Sequence, residues 1–456
     1  MSLGIWENLN FDLNNFKCVV KGFLKTDKGN FLLYRDEDAR LRLKVEGVVS
    51  DDLDFNIKSG QINKMESLVI FQHKVLQQKI LMYALPIKST RSLVGDNFKY
   101  TDIFAIDEVA FEDNHEEISA EYLIEFVDNL KINHVFPCLM RWNETHEKKF
   151  NFLGSEFELT QNLIGKENST RNMIGFTVEN DLAYIVKTGE ENKGLIVFRK
   201  NLDPIKRDRI RKIISYILGC PLIFYGYTYV NKYMSPSISS LMNICDSERA
   251  YFSVNFQLPS PLCLRLKNSI DSNLFNVLFN DLYVKYDEFH LSNVFFTYWI
   301  AVNSNSISAA VHYGALIEKL QATYMKIHDV SYSKILDKSV FKKMRERLEE
   351  QLEELDLTAE QKRIFLNKIG NMNTYSQKDK MDFFCKDILL SLSDIERIAW
   401  QQRNDAAHGN DVSDVNQAWK NTMILRELLN KIILKLLTSN KYYLSYLDCN
   451  PKIKEL

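Results

Sequence analysis

The sequence predicts an α+β protein in which a β-rich N-terminal region, sandwich-like or a curled sheet, precedes an all-α helical bundle. Three observations predict it. Short apolar or alternating segments separated by polar turns recur through roughly the first 200 residues, the pattern of many short strands. From about residue 285 the apolar positions recur at helical spacing instead. Capping residues mark the ends of several of those helical stretches. The expected limits are 1–265 for the β-rich region, which can hold two subdomains, 285–440 for the bundle, and 441–456 for a C-terminal tail.

Each element follows from its own residues. Strand-like runs occupy 16–24, 30–34 and 39–46, with Asp27, Lys28 and Gly29 forming a turn between the first two. Similar short segments follow at 67–72, 79–85, 149–159, 173–178, 182–187 and 194–198. A helix is expected over 119–130. Another is better marked, with Asp203 as N-cap, Pro204 at the first helical position and Gly219 closing it. The aromatic run Phe224, Tyr225, Tyr227, Tyr229 reads as a strand packed in a core, or as a platform for stacking bases.

Helices are then expected over 291–302 and 308–326, separated by the polar Asn303-Ser304-Asn305-Ser306, and over 341–355. Thr358 with Gln361 forms a capping box for a helix that Gly370 ends. The segment 378–390 is amphipathic, and Ser393 with Glu396 forms a second capping box, opening the stretch that runs into Arg403. Over 413–437, Val415, Trp419, Leu425, Leu428, Ile432 and Leu436 fall on one apolar stripe.

Bulk properties narrow the classes. The chain has 456 residues, 45% of them hydrophobic, enough for ordinary globular cores in two or three domains. No run of about 18 apolar residues predicts a membrane span, and residues 1–15 have neither a basic start nor an apolar run, so a cytoplasmic protein is expected. The seven cysteines, Cys18, Cys138, Cys220, Cys245, Cys263, Cys385 and Cys449, form no CxxC pair; buried reduced thiols are expected, with no metal and no cofactor. A net charge of −2 argues against a protein that coats nucleic acid, so contact with RNA would have to be local.

The segment Gln402-Arg403-Asn404-Asp405-Ala406-Ala407-His408-Gly409 carries the most chemistry. RNA brings its own nucleophile, the 2′-hydroxyl beside the scissile phosphate. A catalyst needs a group that exchanges protons near neutral pH, and histidine has an unperturbed pKa of about 6.5. It also needs a fixed positive charge on the phosphorane, which arginine supplies with a fork that grips two phosphate oxygens. Asn404 can orient a phosphate oxygen or hold one tautomer of His408, and Asp405 is a supporting candidate. A second Arg-x4-His, Arg141 to His146, lacks the adjacent Asn and lies in the β-rich part. On a straight helix, positions five apart differ by about 140°, so the helix must bend or end within the motif, or two motifs must meet across a dimer.

This segment resembles the motif of the HEPN superfamily, whose ribonucleases carry Arg, often followed by Asn, then His four to six residues on, near the end of a helical bundle. The layout of a β-rich region before the bundle resembles the ApeA-like branch of bacterial anti-phage defence. The resemblance implies a metal-independent endoribonuclease that leaves a 2′,3′-cyclic phosphate and a 5′-hydroxyl, built as a homodimer with a composite site and compatible with a higher oligomer. It further points to abortive infection; because a nuclease loose in the cytosol would harm its own cell, the N-terminal region is expected to restrain it until infection, through a phage-derived trigger, or another stress lifts the restraint. Glu318 matches an acidic residue that faces the site in similar helices, where it would hold Arg403 or tune His408.

Plainer readings stand beside these. Arg403 and His408 can be a helix-end salt bridge and a cap to the dipole, and Glu318 can face solvent. A catalytically inactive HEPN bundle, serving as a dimerisation or nucleic-acid-binding module, is the main rival. Arg207, Arg209, Arg211 and Lys212, in the densest basic run, can hold RNA phosphates or form the wet face of an amphipathic helix. His312 and His328, early in the bundle, can be ordinary packed or exposed side chains.

Overall fold

The computed structural model describes residues 9–24, 29–49, 67–76, 78–94, 97–113, 120–130, 136, 138–144, 148–152, 158–161, 168–188, 192–199, 201–232, 236–244, 271–330, 334–407, 414–445, 447 and 452–456. The chain divides into two compact units, Met1–Tyr283 and Val284–Leu456. The architecture is α+β, an antiparallel sheet followed by helices.

Sixteen described strands of the first unit join in one sheet. They are β1 (Asn10–Asp12), β2 (Phe16–Val20), β3 (Asn30–Arg35), β4 (Leu41–Val49), β5 (Leu68–His73), β6 (Gln78–Val94), β7 (Asn97–Asp113), β8 (Tyr122–Asp128), β9 (Cys138–Glu144), β10 (Lys148–Phe152), β11 (Glu158–Gln161), β12 (Asn168–Val178), β13 (Asp181–Lys187), β14 (Gly194–Phe198), β15 (Ile223–Val230) and β16 (Pro236–Met242). The long strand β7 organises them. One edge pairs with β6, from Asn97 opposite Val94 to Asp113 opposite Gln78. Its other edge pairs first with β4 and then, from Glu108 to Glu112, with β16. The sheet therefore branches at β7, with β4-β3-β1 to one side and β16-β15-β8-β14-β13-β12-β9-β10-β11 to the other, while β6 carries β5 and β2. Register shifts in β6 at Met82/Ala84 and Pro86/Lys88 bend the hairpin, as bulges and a strand proline do.

Inward side chains from both arms share one core. Leu33, Leu43, Phe71, Met82 and Phe104 pack in the same cluster as Ile124, Tyr184, Val197 and Ile223, as a curled sheet requires. The strands β2 and β3 are not neighbours: β2 pairs with β5 and β3 with β1 and β4, and Asp27 and Lys28 lie outside the described residues.

The helix expected over 119–130 is instead strand β8. Between β14 and β15 it is buried on both faces, Ile124 and Phe126 on the core cluster and Leu123, Glu125 and Val127 on the other side. A strand covered on both faces shows a continuous apolar run rather than alternation, which is why Tyr122–Asp128 reads like a buried helix. Helix α1 (Pro204–Leu218) begins and ends as expected: Asp203 accepts from the Ile205 amide, and Gly219 closes at φ 73°. Helix α2 (Ser272–Val284) belongs to this unit; Phe275 and Phe279 pack edge-on against Phe176 of β12.

The second unit comprises α3 (Leu291–Asn303), α4 (Ser306–Ile327), α5 (Lys338–Glu353), α6 (Ala359–Asn371), α7 (Gln377–Asp387), α8 (Asp394–Ala407) and α9 (Val415–Leu437), then the hairpin β17 (Tyr442–Ser445) and β18 (Lys452–Glu455). Helix α4 packs against α3, α8 and α9. Leu425, Leu428, Leu429, Ile432 and Ile433 of α9 are fully buried. A buried ion pair of 2.8 Å between Glu396 and Lys431 joins α8 to α9.

Two expectations about these helices are corrected. Gly370 does not end α6, which continues to Asn371, because Ile369 is still anchored and the cap forms at Met372. The stripe on α9 is buried only in its C-terminal part: Val415 and Trp419, in the first turns, are 65% and 59% exposed. Among the described residues no helix is long and apolar enough to cross a membrane.

Candidate functional site

Arg403 sits on the third turn of α8 and is only 7% exposed. Its guanidinium is held on several sides. Nη1 donates to the Trp400 carbonyl at 2.9 Å, and Cζ lies 3.4 Å from the centroid of the Trp400 ring, a cation–π contact within one helical turn. Nη2 donates to Glu318 Oε1 from α4. Burial draws the Arg403 pKa down, and the Glu318 carboxylate opposes that shift.

The approach depends on Gly314, one turn before Glu318 on the same face of α4. A Cβ at that position would lie 2.5 Å from Arg403 Cδ and 2.9 Å from Nε. The missing side chain is therefore the space in which the Arg403 stem lies. Neither Gly314 nor Trp400 was singled out by sequence. The available signals were a glycine inside an amphipathic helix, which costs about 1 kcal/mol relative to Ala unless packing needs it, and an aromatic three residues before the arginine.

The pair is lopsided. The Arg403 side chain is buried, while the Glu318 side chain is 40% exposed, so the charge cluster opens toward solvent on the carboxylate side. Two buried donors accompany it: Trp400 Nε1 and Gln321 Nε2 have no hydrogen-bond partner among the described residues. Trp400 is one turn from Arg403, and Gln321 is one turn beyond Glu318 with 3% of its surface exposed. Unmet buried donors are uncommon in folded proteins, and a bound anion is one way to satisfy them.

The structure thus brings together Arg403, Glu318, Gly314 and Trp400. His408 lies outside the described residues, as do the side chains of Asn404 and Asp405 on α8. His146 and the side chain of Arg141 lie outside them as well. His312 is about 200° around α4 from Gly314 and so off the face that meets Arg403. His328 caps the C-terminus of α4 with its ring 4.3 Å from that of Tyr324.

The basic run of α1 divides: Lys206, Asp208 and Lys212 form a half-exposed face, whereas Arg207 and Arg211 do not face solvent. Arg207 and Arg211 both turn inward to Glu125 of β8, at 3.2 and 2.5 Å, and Glu125 is completely buried. Their guanidinium groups lie over the rings of Tyr227 and Phe224, at 4.4 and 4.0 Å. Lys212 pairs with Asp208, and Arg209 lies 5.3 Å from the Tyr283 ring. Arg207 and Arg211 fasten α1 to the sheet, and the aromatic run of β15 is covered by them on one face and buried through Tyr225 on the other. Comparison of the chain with protein-family models, curated proteins and solved structures returns no match.

Proposed function

We propose that the helical unit is a metal-independent endoribonuclease of the HEPN type, with Arg403 and His408 as its catalytic residues and RNA as substrate. The observation that carries this reading is the construction around Arg403. A guanidinium is stacked on Trp400, gripped by Glu318 and admitted by a glycine, five residues before the histidine. Such a charge is preorganised, which is what stabilising a developing phosphorane demands.

In the reaction the 2′-oxygen bonds to phosphorus as the bond to the 5′-oxygen breaks. One proton leaves the 2′-hydroxyl and one is delivered to the 5′-oxygen, giving a 2′,3′-cyclic phosphate and a 5′-hydroxyl. His408 exchanges one of these protons. A second protic group is needed for the other, and a twin motif from a second copy of the chain supplies it in a composite site. Glu318 is a positioning residue, sharing the guanidinium with the incoming phosphate. The β-rich unit restrains the nuclease until a phage-derived trigger arrives in abortive infection.

The burial of Arg403 favours one other reading, an inactive bundle in which the clamp is purely structural. The two are separated by incubating the purified chain with total RNA in EDTA beside the His408→Ala variant. Cleavage that survives chelation, carries cyclic-phosphate ends and vanishes in the variant supports the enzyme. Cleavage that requires a divalent ion, or persists in the variant, removes the mechanism.

A further inference from the structure

Helix α5 carries its charges in the order least favourable to an isolated helix. Lys338, Lys342, Lys343, Arg345 and Arg347 fill its first part, interrupted only by Glu346, and Glu349, Glu350 and Glu353 follow, with Glu354 at the C-cap. The helix dipole favours the reverse arrangement, acids at the N-terminus and bases at the C-terminus. One flank resolves this within the chain: Lys342 pairs with Glu346, Arg345 with Glu349, and Lys362 of α6 with Glu353. The other flank does not. Lys343, Arg347, Glu350 and Glu354 have no ion partner among the described residues.

That same flank is apolar at its centre. Val340, Lys343, Met344, Arg347, Leu348 and Gln351 line a groove of about 520 Å³ along α5. Val340 is 51% exposed, and Leu355, just beyond the helix, 55%. Among the described residues α5 packs extensively only on α6. The hairpin they form is closed at its base by Asn373, which is buried and bonded to the Leu336 amide and carbonyl, and at its tip by the Lys362–Glu353 pair.

We propose that this flank of α5 docks a second copy of the chain, the two α5 helices running antiparallel about a twofold axis between residues 348 and 349. The pattern itself selects the occupant. With that axis Lys343 meets Glu354 and Arg347 meets Glu350, and each pair recurs by symmetry, so the four unpaired charges are satisfied together. Leu348 meets its own copy at the centre, and Met344 lies beside Gln351 and Leu355 of the second copy. The antiparallel arrangement also sets the basic half of one helix against the acidic half of the other, offsetting the dipole conflict of each. A helix of this length presents about 24 Å of contact, which fits a weak, salt-sensitive association rather than an obligate dimer. The occupant is chosen from the charge pattern of α5 and not from the reading of Arg403.

The test is a charge exchange in the full-length chain, read by sedimentation over a range of concentrations. Wild type should associate reversibly at micromolar concentration, more weakly as salt rises. The double variants Lys343→Glu/Arg347→Glu and Glu350→Lys/Glu354→Lys should each weaken self-association by about tenfold or more, because like charges then face each other. Mixed in equal amounts, the two should recover wild-type association as a heterodimer, which also establishes that both are folded. Self-association of either variant at wild-type strength, a mixture no tighter than its components, or a wild-type chain that stays monomeric at high concentration would each overturn the proposal. RNA cleavage is measured separately: charge variants that lose this contact yet still cleave separate it from the composite site, whereas a wild type that stays monomeric removes both.

Discussion

Replacing Gly314 and Gly370 by alanine, one at a time, makes the same chemical change on two helices of the second unit and should move stability in opposite directions. At Gly370 an added Cβ meets nothing within 4 Å, so only the backbone effect remains. Alanine in place of glycine in a helix is worth about 0.5–1 kcal/mol, and Gly370→Ala should stabilise by that amount. At Gly314 the same gain is available, but the Cβ would stand 2.5 Å from Arg403 Cδ, well inside van der Waals contact. The arginine stem is pinned by Trp400 and Glu318 and cannot simply swing away, so the cost resembles overpacking, about 1–3 kcal/mol. Net destabilisation of up to about 2 kcal/mol is expected, with displacement of the guanidinium from Trp400. Calorimetry with helical ellipticity, which reports mainly the second unit, measures both changes. Tryptophan fluorescence follows loss of the cation over Trp400, and under the proposed nuclease reading RNA cleavage should fall in Gly314→Ala but not in Gly370→Ala. If Gly314→Ala were as stabilising as Gly370→Ala, Arg403 would not occupy the space in front of α4, and the description of the clamp would be wrong.

Three further outcomes follow from buried ionisable groups. Glu125→Gln leaves the guanidinium groups of Arg207 and Arg211 buried without their shared carboxylate and should cost about 3–5 kcal/mol in urea unfolding, partly recovered by adding Arg207→Met; an effect under about 0.5 kcal/mol would mean the two arginines reach solvent. Burial pushes the pKa values of Tyr100 and Tyr443 up to about 12, and that of the Cys385 thiol likewise to about 12. In the unfolded chain these groups ionise near 10 and 8.5. The folded state therefore holds more protons in that interval, and stability should decline as pH rises from about 9 through 12. Cys385 should also resist alkylation at pH 8 until the chain unfolds, and prompt labelling in the native protein would contradict its burial.

Much of the helical structure in both units is legible in the residues alone, because its signals are local. The Thr358–Gln361 capping box, the Asp203-Pro204 start and Gly219 close of α1, and the 3.6-residue periodicity of α3, α4 and α9 involve contacts within a turn or two. The limits of that legibility have equally local causes. Gly370 mimics a stop signal although nothing there requires a left-handed residue, and the stripe of α9 extends in sequence past the point where a neighbouring helix covers it.

Residue order alone carries the α+β class, the helix starts, and Arg403 and Glu318 as candidate site residues. Which charges are buried, and against what, depends on the folded chain. Strand β8 became a strand because two neighbours and α1 enclose it, and the basic run of α1 became a fastening because Glu125 lies beneath it, 82 positions earlier in the chain than Arg207. The partnership of Arg403 with Glu318 likewise spans 85 positions. Such contacts form where chain segments distant in sequence meet, and their energies depend on burial and distance, which no spacing within one segment encodes.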